Sequence, residues 1–254
     1  MNCKTCGNSL RSDFGYCPSC GAKIIKNRLT LKNVWEDLSF QVFNLDNTFL
    51  KTFKHLFTKP EIVIEGFIHG ARKKYMNPIS YFAIAITLSG LMFFVLRNIY
   101  DVNLMQNSFS NVKTPNMSFI FDYQGLLSYL LMPVYALMTW VLFLDKPILN
   151  FTEHLVANAY ITGQVSFVQV LICIPLFGFF DIRYDLFNWC FLLFSVVFQF
   201  YAFKRIFKIG IGSALLRGMG YLFLFVVVMM GIGILIILIG LLTGSINFSD
   251  FAPK

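Results

Sequence analysis

Apolar and polar residues are distributed differently on the two sides of Asn77. Before it they mix at short intervals, with no long apolar run. After it come five apolar runs separated by polar stretches. A helix rises about 1.5 Å per residue, so roughly 20 mostly apolar residues cross the hydrocarbon core of a bilayer. The runs are Pro78 to Leu96, Gly125 to Leu144, about Leu155 to Phe180, Leu186 to Phe203 and Met219 to Leu242. They predict an all-α transmembrane bundle of five spans within residues 77–244, followed by a polar tail, 245–254. Pro133 and Pro175 fall inside spans two and three, where neighbouring groups satisfy the carbonyl that each proline frees.

Residues 25–76 read as amphipathic helices. Thr30 is placed as an N-cap, and Val34, Leu38, Val42 and Leu45 then recur at helical spacing. Phe49, Phe53, Leu56 and Phe57 extend the apolar stripe, with Lys51, Lys54 and Lys59 among them. That mix suits a helix lying in the membrane interface, and equally one packed on the rest of the protein. Pro60 suits the first turn of a second helix, read from Glu61 to about Tyr75 and ending in Arg72, Lys73 and Lys74. These three cations are candidate contacts for lipid headgroups, or anchors of topology alone. Asn77-Pro78 closes the segment, because the residue before proline is biased away from helix.

Residues 1–24 form a separate unit. Cys3-x-x-Cys6 and Cys17-x-x-Cys20 are two matched knuckles, each followed by glycine, Gly7 and Gly21. Two cysteines around a tight turn aim both sulfurs at one point, and two such turns supply the four thiolates of a tetrahedral zinc site. Two disulfides or free thiols are the competing readings, and a reducing compartment disfavours the disulfides. Four protein ligands leave no position for water, so the zinc is expected to be structural. A unit this small buries too little to fold without its metal.

Composition agrees with the pattern. The 254 residues are 57% hydrophobic and only 13% charged, against about 25% charged in a soluble domain. The net charge of +8 is concentrated in residues 1–76, which carry +6. With the head inside, the inner loops hold Lys146, Lys204, Arg205, Lys208 and Arg217. The outer segments hold Arg97, Lys113, Arg183 and Lys254 among several aspartates. The excess of Lys and Arg inside predicts a bacterial inner-membrane protein with its N-terminus in the cytoplasm and its C-terminus outside. No cleavable signal peptide is read, so the first span is expected to direct insertion.

Span three carries a polar stripe. His154, Asn158, Thr162, Ser166 and Gln169 step by four, four, four and three residues and so share one face, with Glu153 at its mouth. Such a face points into the bundle, either as hydrogen-bonding glue between helices or as a polar path or pocket. Gln199 in span four is a possible partner. Ala83 with Thr87, Ala85 with Ser89, Gly240 with Gly244, and the pair Gly231 and Gly233 allow close helix approach, expected within the chain and available to an oligomer. The chain lacks HExxH, Walker A and GxSxG motifs and holds three histidines, so the sequence offers no catalytic constellation.

The segment Lys59-Pro60-Glu61 through Gly66-Phe67-Ile68-His69-Gly70-Ala71-Arg72-Lys73-Lys74-Tyr75-Met76-Asn77-Pro78 resembles the stretch "RP…YI.GKR..Y.NP". That stretch belongs to a family of uncharacterised membrane proteins, common in Bacteroidota, that carry an N-terminal zinc ribbon. Trp35-Glu36-Asp37-Leu38, Asp46-Asn47-Thr48-Phe49-Leu50 and Glu153-His154-Leu155-Val156 extend the resemblance. Ala71 departs from the family's usual Lys. Tyr160 and Thr162 stand where the family has histidines, which argues against an intramembrane metal site. By architecture the chain is also similar to bacterial Yip1-like membrane proteins. The resemblance implies no established activity.

The reading that follows is a non-enzymatic membrane protein whose cytoplasmic zinc head organises a protein or lipid partner. The alternatives are a small transporter or channel using the polar face of span three, and a membrane enzyme with Glu153 and His154 as acid and base. Nucleic acid is disfavoured as a partner, because the ribbon holds only Lys4, Arg11 and Lys23 as cations.

Overall fold

Proline, asparagine and glycine set the ends of the helices. The computed structural model describes residues 2–3, 6–11, 14–15, 17–20, 48–71, 74–104, 121, 123–180 and 182–242. Among the described residues seven helices run in order: α1 (48–58), α2 (Pro60–Ile68), α3 (Pro78–Asn98), α4 (Gln124–Leu142), α5 (Phe151–Phe179), α6 (Tyr184–Phe207) and α7 (Ile211–Leu242). The last five are long and apolar enough to cross a membrane. The chain divides into two compact units, 1–47 and 48–254. The stretch from Thr30 to Leu45, read as an amphipathic helix, lies outside the described residues, as do Arg72 and Lys73.

Local chemistry explains where the helices depart from the expected bounds. α2 stops at Ile68 and does not continue to Tyr75. Gly70 takes φ +97°, and the Ala71 N–H returns to the Gly66 carbonyl at 2.8 Å. A glycine at this position ends a helix because it enters the left-handed region without Cβ strain. α5 begins at Phe151, earlier than Leu155, because Asn150 and Glu153 form a capping box. The Asn150 side chain accepts from the Glu153 N–H at 2.9 Å, and the Glu153 carboxylate accepts from the Asn150 N–H at 2.8 Å. Asn77 caps α3 by accepting from the Ile79 N–H at 2.9 Å, with Pro78 in the first turn. α7 starts eight residues before Met219.

α5 is the centre of the bundle and packs on α2, α3, α4 and α6. It packs closely on α3 at Gly163, where an added Cβ would meet the Tyr81 ring at 3.0 Å and the Phe82 Cα at 3.4 Å. This contact differs from the small-residue pairs expected from sequence. Ala85 and Ser89 are buried, but Gly231 and Gly233 have nothing within 4 Å of an added Cβ and serve no close contact among the described residues. α7 is the least buried span. Leu215, Leu216, Met219, Phe223 and Met230 stand exposed along it, as side chains facing lipid do.

Helices α1 and α2 dock where α3 begins. Phe49 and Phe53 pack on Tyr81 and Phe167. The Thr52 hydroxyl accepts from the Met76 N–H at 3.0 Å, and Tyr160 donates to the Met76 carbonyl at 2.5 Å. Two ion pairs tie the end of the bundle where α4 and α6 finish and α5 and α7 begin. Arg205 on α6 forks onto Glu61 on α2 at 2.7 and 3.1 Å. Arg217 on α7 forks onto Asp145 after α4 at 2.6 and 2.8 Å, lies 4.6 Å over the Phe143 ring, and donates to the Leu142 carbonyl.

Candidate functional site

In the head, the turn at Cys3 to Gly7 is closed by the Gly7 N–H bonding the Cys3 carbonyl at 2.9 Å. Gly7 takes φ +77°, a conformation that costs glycine nothing. An antiparallel bridge joins Asn2 and Ser9, and Cys3, Cys17, Leu10 and Phe14 form a small apolar cluster. Gly21 lies outside the described residues.

The two turns bring the sulfurs of Cys3, Cys6, Cys17 and Cys20 all within 4.8 Å of one another. Cys3 lies 3.6 Å from Cys20, and Cys6 lies 3.6 Å from Cys17. None of the four is in a disulfide, and two of them, Cys3 and Cys17, are buried. A metal about 2.3 Å from four tetrahedral sulfurs separates those sulfurs by about 3.8 Å, so the donors fit a metal such as zinc. The Cys20 backbone N–H holds the Cys17 thiol below its ordinary value against the burial that raises it, and the Ser19 N–H adds to the effect. Both favour the thiolate that metals bind.

In the bundle, the stripe on α5 divides. His154 and Asn158 are almost fully buried and meet on one residue, Thr139 of α4. His154 Nδ1 lies 3.1 Å from the Thr139 hydroxyl, and Asn158 donates to that hydroxyl at 2.8 Å. Gln199 of α6 donates to the Asn158 side-chain oxygen at 3.2 Å. The His154 ring stacks on Phe203, with centroids 5.7 Å apart, and has Phe143 and Phe207 close by. Further along α5, Thr162 lines a cavity, Ser166 is buried and Gln169 is half-buried. Glu153 does not join His154: its carboxylate is held by the Asn150 backbone.

A second polar centre, on a different face of α5, lies outside the stripe expected from the sequence. Gln164 is fully buried, accepts a hydrogen bond from the Tyr81 hydroxyl of α3 and donates to the Phe53 carbonyl of α1 at 3.2 Å. A helix enclosed on several sides buries polar residues on more than one face, so the single stripe read along α5 was incomplete. The Asn150–Glu153 spacing was a readable capping signal; Tyr81 and Gln164, 83 positions apart, had none.

At the surface of α1, Lys51 and Lys74 place their ammonium groups 5.9 and 5.5 Å from the Tyr75 ring centre. His55 Nδ1 lies 2.8 Å from the Tyr75 hydroxyl. Burial holds His55 below its ordinary value, and the charges of Lys51, Lys74, Lys59 and Lys54 add to that effect. Lys74 thus belongs to a basic patch that includes α1.

Residues 46–90 match the family model described as "Protein of unknown function (DUF3667)". The match covers α1, α2, the turn to Pro78 and the first part of α3. It takes in Asp46–Leu50 and Lys59–Pro78, two of the segments that carry the resemblance drawn from the sequence. Within it, Thr52, Phe53, Met76 and Tyr81 make the contacts that dock α1 and α3 on α5. No curated protein and no solved structure matches the chain. The chain is a multi-pass membrane protein with five candidate spans, a four-cysteine cluster able to hold a metal, and a segment similar to this family of unknown function.

Proposed function

We propose that the chain is a non-enzymatic protein of a bacterial inner membrane whose cytoplasmic head, folded around one structural zinc, organises a protein or lipid partner at the membrane surface. The observation that carries this reading is the closed donor set, Cys3, Cys6, Cys17 and Cys20 with sulfurs all within 4.8 Å. Four thiolates fill a tetrahedral zinc, leave no position for a reacting water, and make the metal a staple rather than a catalyst. In a unit this small the metal supplies folding energy, so the zinc controls whether the head presents an ordered surface.

The placement of charge supports the orientation. Lys146, Lys204, Arg205, Lys208 and Arg217 lie at or near the end where α4 and α6 finish and α7 begins. By the positive-inside rule that end faces the cytoplasm. The patch of Lys51, Lys54, Lys59 and Lys74 adds positive charge suited to anionic headgroups. The transporter reading has less support, because His154 and Asn158 are paired with protein groups and the cavity at Thr162 does not reach them. The acid–base reading has less again, because Glu153 is used as a helix cap.

Affinity capture tests the proposal. The tagged full chain is solubilised from its own host, and co-purifying proteins and lipids are identified by mass spectrometry beside a Cys17→Ser variant. The reading expects a partner present with the native chain and lost with the variant while the bundle stays helical. A partner set identical for both would contradict it.

A further inference from the structure

We infer that the bundle holds an intramembrane binding site for a neutral, lipid-soluble molecule with a ring-sized, oxygen-bearing head of the quinone class, lined by Tyr135, Thr162, Gln199 and Tyr221. The site goes beyond the proposed role of the zinc head and is independent of it.

The observation is a partly open cavity of about 170 Å³ lined by four helices. Tyr135 comes from α4, Thr162 from α5, Ser195 and Gln199 from α6, and Tyr221 from α7, with Ile161, Val165 and Phe225 among the apolar walls. These polar residues lie seven to eleven positions from the nearer ends of their helices, roughly 10–17 Å of helix. The site is thus well inside the spanning segments, where water offers no ready substitute for a missing hydrogen bond.

The polar groups there are incompletely used. Thr52, Thr87 and Thr139 each return their hydroxyl to the carbonyl four residues back. The hydroxyls of Thr162 and Tyr135 make no hydrogen bond among the described residues. The Tyr221 hydroxyl lines the same cavity beside Gln199 and donates no hydrogen bond among the described residues. Hydroxyls left unpaired at an apolar cavity within the membrane lose free energy that a hydrogen bond would recover, so three donors around one cavity call for an acceptor.

Size and charge narrow the occupant. An engineered apolar cavity of about 150 Å³ takes up benzene, so this one accommodates a single six-membered ring. No Lys, Arg, Asp or Glu lines it, and an ion there would have no counter-charge, so the occupant is neutral. Hydroxyl donors select carbonyl or ether oxygens on that ring. A molecule arriving through the bilayer leaves an apolar tail behind in lipid. Recognition alone is inferred, with no electron transfer.

The test uses the full chain in nanodiscs of zwitterionic lipid and two probes of matched shape, decyl-benzoquinone and decylcyclohexane. Retention is read by native mass spectrometry, with thermal stabilisation as a second readout. The wild-type chain is expected to retain the quinone at least tenfold better than the hydrocarbon. Tyr135→Phe with Tyr221→Phe, which keeps the cavity and removes two donors, is expected to reduce that preference to less than threefold. Equal retention of the two probes by the wild-type chain, which needs no variant to fold, would overturn the inference. So would a preference unchanged in the double variant, or a cavity that holds water alone.

Discussion

Replacing Gln164 with leucine tests the claim that α1, α3 and α5 are joined by one buried amide. The substitution keeps the side chain's approximate volume and removes both of its hydrogen bonds, to the Tyr81 hydroxyl and the Phe53 carbonyl. In a water-soluble core, each stranded partner costs about 1–3 kcal/mol. Within a bilayer the unfolded helices also find partners, and measured interhelical bonds average about 0.6 kcal/mol with a maximum near 1.7. Gln164→Leu is therefore expected to cost about 1–3 kcal/mol, and Tyr81→Phe about 1 kcal/mol. The double variant is expected to cost less than the sum by about 1 kcal/mol, because the Tyr81–Gln164 partners then vanish together. Equilibrium unfolding in mixed micelles, followed by circular dichroism, measures all four corners of the cycle. Costs that add within about 0.3 kcal/mol would refute the hydrogen bond as a source of stability.

Glycines separate by what surrounds them. Gly163→Ala forces a Cβ against Tyr81 and the Phe82 backbone and is expected to cost about 1–3 kcal/mol; Gly231→Ala meets nothing and is expected to be neutral or stabilising by up to about 1 kcal/mol in the same unfolding assay. Arg217→Lys keeps the charge and loses the fork onto Asp145; a loss near 1 kcal/mol is expected, shrinking at high salt. Burial and four nearby lysines hold His55 below the usual value near 6.5, so the folded chain resists a proton that the unfolded chain accepts. Stability is then full above about pH 6.5 and declines as pH falls from there toward the folded value; unfolding at pH 7.5 and 5.5 should show this decline, and His55→Gln should lessen it.

Much of this architecture was legible before any coordinates. The spans follow from length and apolarity alone, since a bilayer demands about twenty apolar residues from each helix that crosses it. The head follows from two CxxC turns, because the chelate geometry is local. Helix ends were less accessible. The stop at Gly70 and the start at Asn150 both carried local signals, but the basic residues Arg72 to Lys74 and the polar residues Thr152 to His154 drew the expected boundaries away from them. The contacts inside the bundle were least legible. Thr139 lies 15 positions from His154, and Phe53 lies 111 from Gln164. Neither pair shares a periodicity that spacing within one helix could expose.

Metal content tests the account most directly. The full chain, purified in detergent from cells grown without added metal, is expected to carry one zinc per polypeptide by elemental analysis. Cys17→Ser is expected to carry little or none while the helical signal of the bundle persists. A native chain free of zinc, or a Cys17→Ser variant that keeps the full complement, would contradict the claim that the four cysteines fold the head around a metal.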